Sequence, residues 1–112
     1  MRCATARSCG LVLAVTAALV GGGPVSARDA EAGRAKAAAC AVCHGQLGLS
    51  NTPDAPHLAG QPAIYVAAQL RAYRSGERKH EVMAVIARPL TNDDIQNLAA
   101  WFSSIRIEAT AP

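Results

Sequence analysis

Aromatic residues are scarce in this 112-residue chain, which holds one tryptophan, one phenylalanine and two tyrosines. Large rings ordinarily supply much of a core's buried area, so four of them leave a core that something other than protein must complete. Charge of one sign is scarce as well. The net charge is only +3, and two of the basic residues, Arg2 and Arg7, lie at the extreme N-terminus. A protein that binds nucleic acid needs a basic surface to neutralise phosphates, so that class of partner is excluded. Long apolar runs are missing too. The longest, residues 10–20, spans eleven positions, well short of the roughly 18–20 that cross a bilayer. No segment alternates apolar and polar residues between turn signals, and no repeat is present. These absences leave an all-α fold.

The eleven-residue apolar run has a different meaning. Arg2 and Arg7 precede it, a Gly-Gly-Gly-Pro break follows, and Val25-Ser26-Ala27 is a small-residue cleavage pattern. That order of features predicts a secretory signal peptide over residues 1–27, cut after Ala27, and a single domain over 28–112 delivered to the periplasm. Cys3 and Cys9 would leave with the signal. Cys40 and Cys43 then remain as the domain's only cysteines, too few for a disulfide framework. Nine basic and eight acidic side chains stay behind, so the exported domain is nearly neutral. A domain of this size buries only about 60–65% of its unfolded surface and needs a further staple to be stable.

Helix signals account for most of the rest. Asp29 is a candidate N-cap with Glu31 in the following turn, and the alanine-rich stretch to about Cys40 favours helix. Gly33 is out of place there unless another backbone passes close by. Residues 45–61 read as loop. Pro62 is suited to the first position of a second helix that Gly76 ends. Residues 77–90 read as loop again. Thr91 with Asp94 forms an acidic version of the capping box, and Ile95, Leu98, Ala99, Phe102 and Ile105 line one face of a third helix.

Cys40, Cys43 and His44 form a C-x-x-C-H motif, the pattern of covalent c-type haem attachment. Two cysteines three residues apart reach the two vinyl edges of one porphyrin, and the next residue turns its imidazole toward the iron. Three other readings compete: a redox-active dithiol, a zinc site lacking a fourth ligand, and a structural disulfide closing a very short loop. If haem is bound, the occupant of the sixth iron position separates electron transfer from ligand chemistry. Met83 is the domain's one methionine, with His80 as its rival. His57 reads as a surface residue.

Together, Cys40-Ala41-Val42-Cys43-His44, Pro56-His57-Leu58-Ala59-Gly60-Gln61, the Tyr65, Gln69, Leu70, Tyr73, Gly76-Glu77-Arg78 series, Met83, and the Leu90 to Phe102 segment resemble a class I bacterial cytochrome c. The likeness is to one haem domain of the periplasmic dihaem c-four type and its monohaem relatives. It implies about three main helices around one haem c bound through Cys40 and Cys43, with His44 and Met83 as iron ligands. It also implies that the Pro56 carbonyl orients His44, that Leu58 packs on the proximal haem face, and that Gly33 lets the first helix cross the last at Leu98 and Trp101. Arg71, Arg74, Arg78 and Lys79 form the only basic cluster. It reads as a solvated face, as a propionate partner centred on Arg78, or as a docking rim for an acidic redox protein.

The implied function is one-electron transfer, without catalysis, between a redox protein donor and acceptor such as a respiratory complex or a dehydrogenase. Membership of a dehydrogenase or sulfide-oxidising complex, and a haem sensor or peroxidase-like protein with an open sixth position, are the alternatives.

Overall fold

Asp29 starts the first helix: its carboxylate accepts the backbone N–H groups of Glu31 and Ala32 at 3.0 and 3.1 Å, satisfying two of the donors that every helix start leaves free. The computed structural model describes residues 29–112, so the signal peptide expected at 1–27 and its cleavage point lie outside the described residues. Five helices follow one another: α1 (Ala30–Ala37), α2 (Ala41–His44), α3 (Ala63–Ser75), α4 (Glu81–Ala87) and α5 (Asn92–Ser104). Among the described residues there is no strand, and the fold class is all-α.

The first helix is shorter than the alanine run suggests. Ala38, Ala39 and Cys40 each bond to the carbonyl three residues back, at Ala35, Lys36 and Ala37, instead of four. That tighter winding ends α1 and re-aims the chain into the separate single turn of α2. At α3, Pro62 is the cap rather than the first helical residue; its ψ of 132° is extended while its carbonyl already accepts from Tyr65 and Val66. Gly76 closes α3 in the left-handed conformation at φ 81°, where a side chain would be strained.

The segment 77–90, expected as loop, contains α4. Met83 therefore stands in the first turn of a helix, and its backbone N–H is accepted by Nδ1 of His80 at 3.3 Å. Histidine is outside the usual set of capping residues, and Val82, Val85 and Ile86 are poor helix formers, which is why the pattern gave no helix signal.

Helix α5 is the spine. Thr91 and Asp94 make both halves of the capping box, Asp94 N–H to Thr91 Oγ1 at 3.0 Å and Thr91 N–H to Asp94 Oδ2 at 2.9 Å. Ile95, Leu98, Ala99 and Phe102 are all buried, and Ala37, Val66 and Ala67 meet them from α1 and α3. Ile105 is the exception in the expected stripe: the helix has ended, and it packs only partly against this core. Helix α1 lies across α5, α5 across α3, and α3 against α4. Among the described residues Ile95 and Leu98 are the largest fully buried side chains, so the core is small.

Candidate functional site

The single turn of α2 carries the motif. Cys40 caps it, Cys43 and His44 occupy its last two positions, and the two cysteines are not joined in a disulfide. Burial pushes the Cys40 thiol above its ordinary pKa, the reverse of the lowered value that activates a dithiol oxidoreductase. Among the described residues no three His, Cys, Asp or Glu side chains gather to hold a metal ion by themselves.

Among the described residues His44 is the one buried polar residue, 7% exposed. Its Nδ1 lies 2.8 Å from the Pro56 carbonyl oxygen. A carbonyl only accepts, so the ring proton is on Nδ1, and Nε2 is left as an unprotonated nitrogen fit to ligate a metal. Two residues on, Leu58 packs against the core, as Cys40 does. The 45–61 loop thus returns to the helix it left and fixes the imidazole.

That return is held by residues without any pattern in the sequence to mark them. Cys43 is near the C-terminus of a four-residue helix, and its carbonyl has no place in a longer ladder. Thr52 Oγ1 lies 2.9 Å from it and Ser50 Oγ 3.0 Å. The two hydroxyls are 2.9 Å apart. His57, exposed as expected, accepts the Ser50 N–H on Nδ1 at 2.8 Å. Gly48 accepts from both Leu58 and Ala59, tying the loop across its base.

The remaining candidates cluster around α3 and α4. Met83 is partly buried. His80, its rival as a ligand, turns Nδ1 to the start of α4 and sets its ring edge-on to Tyr73, with centroids 6.3 Å apart. Arg78 donates to Gln69 Oε1 at 2.6 Å and lies over the Tyr73 ring at 4.7 Å. The basic cluster is divided in purpose. Arg74 spans to the Leu90 carbonyl and to Asn92 Oδ1, at 2.8 and 2.7 Å, and so joins α3 to the start of α5. Lys79 is exposed.

A porphyrin suits what this chain offers. Two cysteines not joined in a disulfide and a buried imidazole with one free nitrogen share a single turn. Tyr65, Val82, Val85 and Ile86 on α3 and α4 are left uncovered by protein, between 37 and 65% exposed. Uncovered apolar surface of this extent calls for a large apolar group.

Comparison with known proteins agrees. A family model described as "Cytochrome c" matches residues 30–106. Cytochrome c-554(548) from Halomonas halodenitrificans is 41% identical over 81 residues, covering 70% of this chain and 98% of that protein. The thiosulfate dehydrogenase electron acceptor of Stutzerimonas stutzeri is 41% identical over 69 residues, covering 59% of this chain and 32% of its own length. Reduced recombinant cytochrome c4 from Pseudomonas stutzeri superposes with a TM-score of 0.66 at 39% identity, over 70% of this chain and 46% of that one. This chain spans less than half of the last two.

Proposed function

The chain belongs to the cytochrome c family, with haem c attached through Cys40 and Cys43, and on that footing we propose that it is a periplasmic monohaem carrier whose iron is held by His44 and Met83. The observation that carries the reading is the bond from His44 Nδ1 to the Pro56 carbonyl, which leaves Nε2 as the ligating atom. When bound, the haem supplies a one-electron iron couple, whose potential Met/His ligation raises.

Each named residue then has one task. Cys40 and Cys43 hold the group covalently, so that it is not lost outside the cell. Pro56 orients the imidazole and increases its basicity. His80 fixes the first turn of α4, which keeps Met83 in position as sixth ligand. Leu58 packs on the proximal face. Arg78, steadied by Gln69 and Tyr73, keeps most of its five N–H donors for a haem propionate. Lys79 and Arg71 are charges available to steer an acidic redox partner, which tunes association rate more than affinity.

Among the described residues no helix is long and apolar enough to cross a membrane. The name of the Stutzerimonas stutzeri relative supports a dehydrogenase as electron donor. With His44 and Met83 both holding the iron, no position on it would be left for a substrate, and the protein would act as a carrier rather than an enzyme.

The test is a spectrum. Protein exported from a host able to attach haem should give a low-spin c-type spectrum when reduced, unchanged by carbon monoxide at neutral pH. Carbon monoxide binding to the reduced wild-type protein would overturn the closed sixth position and favour a sensor or peroxidase-like role.

A further inference from the structure

We infer that Thr52, with Ser50 and His57, forms a clamp on the Cys43 carbonyl that holds the Pro56 carbonyl on His44 and so sets the electron-donating strength of the axial imidazole. The inference rests on His44 being an iron ligand.

The geometry is that of a closed loop. Its first anchor is the Cys43 carbonyl, one residue before His44, which takes the Thr52 hydroxyl at 2.9 Å. Each hydroxyl has a single proton. With that of Thr52 on Cys43, the Ser50 proton has three acceptors in reach, the same carbonyl at 3.0 Å, Thr52 Oγ1 at 2.9 Å and the Thr52 carbonyl at 3.1 Å, while Ser50 Oγ accepts the Thr52 N–H at 3.0 Å. The second anchor is His57, directly after Pro56, whose Nδ1 takes the Ser50 N–H at 2.8 Å. The Ser50–Thr52 corner is therefore fastened on one side to the residue before the axial histidine and on the other to the residue after Pro56. Between them the Pro56 carbonyl stands 2.8 Å from His44 Nδ1.

Chemistry connects this geometry to iron. A carbonyl held on Nδ1–H draws the proton away from the ring and makes Nε2 a better donor, which stabilises Fe(III) over Fe(II). A slackened clamp weakens that bond and raises the potential. None of the three residues touches iron or porphyrin in this scheme; they are positioning residues.

Thr52→Val keeps the shape and removes the hydroxyl, and Thr52→Ser restores it. In the haem-loaded protein, Thr52→Val should raise the midpoint potential, by up to about 59 mV for a tenfold shift in the one-electron equilibrium. It should also speed solvent exchange of the His44 Nδ1 proton, read by NMR in the reduced state. Thr52→Ser should bring both back to wild-type values. Ser50→Ala, which leaves the Thr52 bond to Cys43 in place, should move both in the same direction by less, and it decides the matter if Thr52→Val does not mature. Variants that lose thermal stability with an unchanged potential and unchanged exchange would overturn the clamp and leave a purely structural loop. A wild-type protein whose spectrum lacks a low-spin c-type haem would overturn the axial reading itself, an outcome told apart by the spectrum before any variant is made.

Discussion

Gly33 meets the backbone of Asn97 where α1 crosses α5, so closely that a Cβ on Gly33 would fall inside contact distance of the Asn97 carbonyl and lie 2.9 Å from Trp101 Cβ. The crossing is secured on either side. Asn97 Oδ1 accepts the Asp29 N–H at 3.0 Å, and Lys36 pairs with Asp94 at 2.9 Å. Substituting alanine improves helix propensity by about 1 kcal/mol but forces the two helices apart. Overpacking of this kind costs roughly 1–3 kcal/mol, occasionally more. Gly33→Ala should therefore lower the denaturation midpoint of the haem-loaded protein with its denaturant slope unchanged. An equal or higher midpoint would show that the crossing has room to spare.

Asp94 makes stability depend on pH. The Thr91 backbone N–H, and after it Lys36, hold its carboxyl below the ordinary carboxylate pKa. A group whose folded pKa is depressed contributes its stability above the unfolded value, about 3.9 for aspartate, and loses it as pH falls through the folded value. Asp94→Asn should therefore be less stable than wild type near neutrality, and the gap should close in acid below about pH 4. Guanidinium unfolding at neutral and acid pH measures the gap; one that persists undiminished in acid removes the carboxylate from the explanation.

Met83→Ala separates ligand from packing residue. Loss of the sixth ligand should turn the reduced protein high-spin, allow carbon monoxide to bind and lower the potential, since the thioether raises it. A variant with an unaltered low-spin spectrum and potential assigns the sixth position to another side chain.

Arg74 and Lys79 should behave differently although they belong to one basic cluster. Arg74→Ala strips two hydrogen bonds from the link between α3 and α5, and a loss of about 1.5–3 kcal/mol in unfolding free energy is expected, the range for a bond to a charged group. Lys79→Ala should leave stability within about 0.5 kcal/mol. Its effect should appear in the salt dependence of electron-transfer rates with an acidic partner. Equal stability losses would contradict this division.

The parts of the molecule that could be read before folding are those whose partners lie three or four residues away. The Thr91–Asp94 box, the Asp29 cap and the buried face of α5 are local, and their spacing is their signal. Helix α4 escaped because its cap is a histidine and three of its seven residues, Val82, Val85 and Ile86, are β-branched. The Ser50–Thr52–His57 clamp escaped because hydroxyls in a polar loop carry no periodicity. The two tasks of the basic cluster also could not be separated, since Arg74 reaches its acceptors sixteen and eighteen residues on.

Sequence alone determined the helical class, the two thiols and the imidazole of the C-x-x-C-H turn, because covalent spacing within one turn holds in any fold. Tertiary structure decided which nitrogen of His44 is free, that Met83 is carried on a helix, and that Gly33 meets α5 at the Asn97 backbone beside Trp101 rather than at Leu98. Those depend on the directions in which distant segments meet, and hydrogen bonds and close contacts fix directions only after the chain has brought the segments together.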